Sequence, residues 1–208
     1  MPGPEIPIAQ ARRRAAAVAG HQADPGTAAT FTDDPDPKVR ATAYAALARL
    51  GALSPAALLA ALNDDDPYVR RRAATLAATA DERDDVVAAL LARLSDDDHL
   101  VAEAAAWAFG EWTDDNPALT DTLGVLAAMA TGHDEPLCRE AAAAALGAIG
   151  DVRGLAAILQ ACTDKPAVRR RAVLALAPFD GPEVEAAIDT ALADRDWQVR
   201  QAAEDLRR

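Results

Sequence analysis

The residues able to do chemistry are few, and their spacing argues against most chemistries. There are three histidines, His21, His99 and His133, and no two stand at metal-ligand spacing. The two cysteines, Cys138 and Cys162, form no C-x-x-C pair and suggest no disulfide framework. Cys138 occupies an apolar slot of a helical pattern, and no His or Asp is positioned by sequence beside Cys162, so neither reads as a nucleophile. The acidic clusters Asp33-Asp34-Asp36, Asp64-Asp65-Asp66 and Asp96-Asp97-Asp98 invite a cation or a basic partner, but the D-x-[DN]-x-[DN]-G calcium pattern is absent. Their plainer use is to cap helices and to pair with arginines of neighbouring segments. No catalytic, cofactor-binding or metal-ligating residue is assigned on this basis, and the expectation is a protein that is not an enzyme.

The elements that carry these residues recur. A Val-Arg pair appears at Val39-Arg40, Val69-Arg70, Val168-Arg169 and Val199-Arg200, with variants at Val101-Ala102 and Cys138-Arg139. The steps between these six anchors are 30 (39 to 69), 32 (69 to 101), 37 (101 to 138), 30 (138 to 168) and 31 (168 to 199). Such even spacing marks an internal repeat. Three residues before each anchor stands Asp36, Asp66, Asp98, Glu135, Lys165 or Asp196. An aspartate there can accept the orphan N–H groups of a helix start. Pro37, Pro67, Pro136 and Pro166 follow at the first helical position, where the missing donor costs nothing. His99 and Trp197 replace Pro in the other two copies.

Apolar or small residues then recur at helical spacing, for example Val101, Ala105, Phe109 and Trp112, or Cys138, Ala142, Leu146 and Ile149. Helix stops are expected at Gly51, Gly150 and Gly181. Shorter amphipathic segments fill the gaps at 54–62, 84–94, 118–130, 154–162 and 182–192. A helix over 8–20 precedes a short one over 26–32, and the last helix runs from 198 to 206. No period-two strand pattern occurs. The extra length of the 37-residue step falls around 113–118 and reads as a longer loop.

The Asp-x-x-Val-Arg phrases and the Ala-Leu-Gly-Ala-Ile-Gly-Asp run at 145–151, loosely copied at Ala108-Phe109-Gly110-Glu111, resemble HEAT repeats. The match is to the short HEAT-like class of about 30 residues, and it covers roughly 24–208. The resemblance implies an all-α, right-handed α-α superhelix of about six helical hairpins. Residues 1–23 would form a capping helix and 24–208 a single solenoid domain. The helices opened by the anchors would line the concave side, and the anchor arginines Arg40, Arg70, Arg139, Arg169 and Arg200 would form a structural ladder between acidic turns. Some HEAT-like proteins are di-iron hydroxylases with repeated His-Glu pairs, but the matching slot here is Arg139-Glu140 and no His-Glu occurs.

Bulk composition narrows the partners. Of 208 residues, 51% are hydrophobic and only 4% aromatic, so the core must be Ala, Leu and Val with helices in close approach. The net charge of -12, from 33 acids and 21 bases, opposes general nucleic-acid binding. No run is apolar and long enough for a membrane span, and the N-terminal run fits no signal peptide. A cytoplasmic monomer is expected.

Function is then expected on the open face of the anchor helices. Residues two, five, six and nine after each anchor are expected to point away from the core, among them Tyr44, Arg71, Thr75, Glu103, Trp107, Glu140, Arg170 and Leu174. Trp107 is the informative one, at about 140° from the core centre by helical spacing. Exposed aromatic and Arg residues are the usual anchors of protein interfaces. The alternative for Trp107 is packing on a neighbouring helix. Arg71, Glu103, Trp107, Glu111, Glu140 and Arg170 are therefore the expected protein-binding residues, on a scaffold or adaptor that holds a protein or peptide. Two other functions accompany the resemblance. One is tetrapyrrole handling, as in bilin lyases. The other is DNA binding, as in HEAT-like glycosylases, which the acidic balance counts against.

Overall fold

The computed structural model describes residues 8–80, 84–112 and 119–208. The expected loop at 113–118 lies outside the described residues. Among the described residues there are thirteen α-helices and no strand. They are α1 (Ile8–His21), α2 (Pro25–Ala29), α3 (Pro37–Arg49), α4 (Pro55–Leu62), α5 (Pro67–Ala77), α6 (Asp84–Arg93) and α7 (His99–Glu111). Then follow α8 (Leu119–Gly132), α9 (Pro136–Ile149), α10 (Leu155–Ala161), α11 (Pro166–Ala175), α12 (Pro182–Leu192) and α13 (Trp197–Leu206). This is the all-α hairpin repeat that the anchors imply.

The helix starts follow from their sequence. The backbone N–H groups of Lys38, Tyr68, Leu100 and Gln198 donate to the carboxylates of Asp36, Asp66, Asp98 and Asp196 at 2.8, 2.8, 2.9 and 2.9 Å. Glu135 and Lys165 make no such cap, and α9 and α11 rely on Pro136 and Pro166. Gly51 and Gly150 follow α3 and α9 with φ of 64° and 70°, as C-terminal glycines do. Gly181 differs from expectation. Helix α11 already ends at Ala175, short of Pro178, which has no N–H to continue the ladder; Gly181 instead opens α12 as its N-cap.

The chain divides into two compact units, Met1–Leu90 and Leu91–Arg208, with the boundary inside α6. In the first, α1, α3 and α5 pack side by side, and α2 and α4 form hairpins with α3 and α5. In the second, α7, α9, α11 and α13 form a row, while α8, α10 and α12 pair with α9, α11 and α13. All six anchor residues are buried. Neighbours in a row approach through their smallest residues. A Cβ on Gly147 of α9 would lie 2.6 Å from Cα of Ala175 in α11, and one on Gly110 of α7 would lie 3.1 Å from Cα of Ala145 in α9. The same joint recurs in the first unit, where a Cβ on Gly20 would lie 2.9 Å from Cβ of Ala46. Phe109 and Trp112 are buried in core register, edge to face with centroids 5.3 Å apart.

The acidic turns are tied by the anchor arginines. Arg40 Nε and Nη2 donate to both oxygens of Asp64 at 2.8 and 2.7 Å, and its Nη1 donates to the Asp34 carbonyl at 2.8 Å. Arg169 repeats the pattern with Asp194 at 2.9 and 2.8 Å and the Asp164 carbonyl at 2.7 Å. Arg139 does the same with Asp164 and the His133 carbonyl. Each paired aspartate in the turns before α3, α5 and α13 also accepts the backbone N–H two residues on, at Asp36, Asp66 and Asp196. Thus one acid in a turn receives the arginine, another caps the helix, and Asp65 and Asp97 between them are exposed.

The arginine partners set the charge state of these turns. Arg12 holds Asp34 below the ordinary carboxylate range, as Arg139 does for Asp164 and Arg169 for Asp194. At Asp64 burial pushes upward, but the Arg40 hydrogen bonds and the Asp66 N–H outweigh it and the net shift is downward.

Candidate protein-binding groove

On α7, Glu103, Trp107 and Glu111 are four residues apart and form one stripe on the helix. Across from them, α9 presents Leu137, Glu140, Ala144 and Ala148, and α11 presents Arg171. Together they line a groove of about 430 Å³ whose floor is alanine and Gly110. The floor is low because these residues are small, and Trp107 stands above it with 43% of its surface exposed. Leu137 is equally open at 42%.

The charges are unevenly partnered. Glu140 lies 3.7 Å from Arg170 and 3.6 Å from Arg171, at the outer limit of an ion pair. Glu103 and Glu111 have no ion-pair partner among the described residues. Glu103 is half-buried and Glu111 exposed, so this side of the groove is acidic around a partly exposed indole.

Four of the six expected binding residues therefore meet: Glu103, Trp107, Glu111 and Glu140. Arg170 flanks the groove through Glu140 without lining it. Arg71 is exposed in the first unit, where Tyr68, Arg71, Arg72 and Thr75 surround a separate depression of about 260 Å³.

Tyr44 was expected on the open face and is instead buried, at 5% exposure. The same position, five after the anchor, is buried in Ala74, Ala106, Ala143 and Val173. Positions five and nine after an anchor point roughly 140–180° from it, and that flank packs on the next helix of the row. Gly110 and Gly147 occupy position nine and meet Ala145 and Ala175, each seven after its own anchor. The open face is centred instead on positions two, six and ten, with the residue before the anchor and the third after it. Leu137 and Arg171 hold those last two slots, as Tyr68 and Arg72 do on α5. Neither was among the expected binding residues, although the same helical wheel places them there.

Residues 7–77, 55–124 and 88–167 match the family model of HEAT repeats. The chain belongs to the HEAT-repeat family. No curated protein matches it in sequence. Among solved structures, YibA of Escherichia coli is similar over 98% of this chain and 75% of its own, with 16% identity and a TM-score of 0.68. A designed armadillo repeat protein in complex with the peptide (KR)4 is similar over 86% of this chain and 96% of its own, with 16% identity and a TM-score of 0.62. The complex of CpcE and CpcF of phycocyanin lyase from Nostoc sp. PCC7120 is similar over 98% of this chain and 76% of the matched chain, with 25% identity and a TM-score of 0.61.

Within the HEAT-repeat frame burial governs both cysteines. Burial, with smaller effects from Glu103 and Glu135, pushes the Cys138 thiol up to about 11. Its Sγ contacts the His99 carbonyl at 3.2 Å. Burial alone raises Cys162 to about 11. Both thiols stay protonated at neutral pH, which makes them poor nucleophiles. No helix among the described residues is long and apolar enough to cross a membrane.

Proposed function

We propose that this HEAT-repeat protein is a non-catalytic scaffold or adaptor, a cytoplasmic monomer that holds a protein or peptide along the α7–α9 groove. The observation that carries the reading is Trp107. Its two aromatic neighbours on the same segment, Phe109 and Trp112, are buried, yet Trp107 is left over an alanine floor. Large aromatic anchors at the centre of a depression are where interface energy concentrates. The armadillo relative, of similar fold, is complexed with a peptide, which supports a peptide as one form of the partner.

The test is Trp107→Ala in a quantitative pull-down beside thermal melting. Captured partners should fall away while Tm moves by less than about 2 °C, since an exposed ring contributes little to the core. Partners retained at full level would remove the groove as the binding site. A large drop in Tm would assign the ring to packing.

A second reading, tetrapyrrole handling, is favoured by the likeness to the phycocyanin lyase complex. The groove speaks against it: a bilin carries propionate carboxylates, and Glu103, Glu111 and Glu140 would oppose them. A stable adduct after incubation with a bilin and an acceptor subunit would make it the leading reading. A gel shift of DNA at low salt would do the same for nucleic-acid binding.

A further inference from the structure

We infer that the groove is built for a basic segment, with an arginine side chain stacked on Trp107 between Glu103 and Glu111. The inference rests on the scaffold reading and adds the chemistry of the occupant. On α7 the two glutamates stand one turn to either side of the ring, each about 6 Å along the axis from it. A cation over the indole face would gain from the ring quadrupole and from both carboxylates together. Glu140 already has arginine neighbours, whereas Glu103 and Glu111 have no ion-pair partner among the described residues. One aspartate in each of the turns before α3, α5, α11 and α13 is taken up by an arginine of the chain, unlike Glu103 and Glu111 among the described residues.

The apolar parts of the groove suit the rest of such a side chain. Leu137 and the alanine floor accept the aliphatic stem of Arg or Lys, which buries its methylenes while the head stays polar. Arginine fits better than lysine because a planar guanidinium both stacks on the indole and donates in parallel to carboxylates. The chain's net charge of -12 adds long-range attraction, which salt weakens. An acidic segment would meet the glutamates, with Arg171 the one basic side chain among the described residues lining the groove and Arg170 beside it at Glu140.

The experiment is fluorescence anisotropy of short labelled peptides of equal length on the full chain, at low and high salt. The peptides differ only in carrying Arg, Lys, Glu or Leu at the variable positions. Binding should rank Arg above Lys and leave Glu and Leu weak. Trp107→Ala and the double change Glu103→Gln with Glu111→Gln should each weaken the Arg peptide by about tenfold. High salt should weaken the wild type more than the double glutamine variant. Trp107-dependent binding of the Leu or Glu peptide in preference to Arg would overturn the basic segment and leave the scaffold reading standing. Arg binding that survives both variants would be attraction to an acidic chain at large and would overturn the inference. No Trp107-dependent binding of any peptide would remove both.

Discussion

In the turns before α3, α5, α11 and α13, Asp34, Asp64, Asp164 and Asp194 each accept an arginine from the preceding helix of the row. In the groove on α7, Glu103 and Glu111 accept none among the described residues. The chemical group is the same. What differs is whether the fold uses it. The turn carboxylates are buried or half-buried and bound to guanidinium and backbone N–H together, so they hold helix to helix along the row. Glu103 and Glu111 flank an exposed ring and have no ion-pair partner among the described residues. Acidic composition alone would not separate the two sets. The partner of each carboxylate does.

The sharpest break of that comparison is Arg169→Ala. Arg169 is only 8% exposed and ties Asp194 to the Asp164 carbonyl. Its loss strands a half-buried carboxylate and a carbonyl, and should cost about 2–4 kcal/mol in urea unfolding. If the ladder were mere surface pairing the cost would stay within about 1 kcal/mol. Next comes Gly147→Ala. Its Cβ would fall 2.6 Å from Cα and Cβ of Ala175 and 2.8 Å from its carbonyl oxygen, so α9 and α11 must separate. Overpacking of this kind should cost about 1–3 kcal/mol in the same measurement. Unchanged stability would mean the row of helices slides freely at that joint.

Acid separates the regions next. Asp34, Asp164 and Asp194 have lowered values in the folded chain, with arginine hydrogen bonds as the largest cause. A carboxylate held low in the fold binds protons more readily once unfolded, where its value is about 3.9. Its contribution is therefore full above about pH 4 and is lost as pH falls through the lowered folded values. Chemical denaturation at a series of pH values should show stability dropping through that window. In Arg169→Ala the drop should be shallower, because Asp194 no longer gains from its partner.

The turns were legible in sequence because each position there answers one local demand. A cap must accept, the first helical position tolerates Pro, and the anchor must be buried; Asp66-Pro67-Tyr68-Val69 satisfies these in order. The groove was legible in part. Glu103, Trp107 and Glu111 follow from the wheel of a single helix. Tyr44 was misplaced because position five is settled by the adjacent helix in the row, which one helix's periodicity does not contain. Gly110 and Gly147 mark that buried flank, since glycine nine residues after an anchor is useful only where another backbone comes close. Arg171 was not among the expected binding residues because the run Arg169-Arg170-Arg171 looks uniform in sequence. In the structure Arg169 enters the ladder, while Arg170 and Arg171 turn to Glu140.

The smallest expected effect tests the comparison from the other side. Glu103→Gln and Glu111→Gln remove two charges, keep the side-chain shape and break no ion pair among the described residues. Stability should therefore stay within about 0.5 kcal/mol of wild type, the ordinary range for surface changes. A modest gain is the expected sign, because two acids fewer lessen the self-repulsion of a chain at -12. A loss of the size expected for Arg169→Ala would show that these glutamates carry structure as the turn aspartates do. The distinction between turn aspartates tied to arginine and the two glutamates without an ion-pair partner among the described residues would then fail.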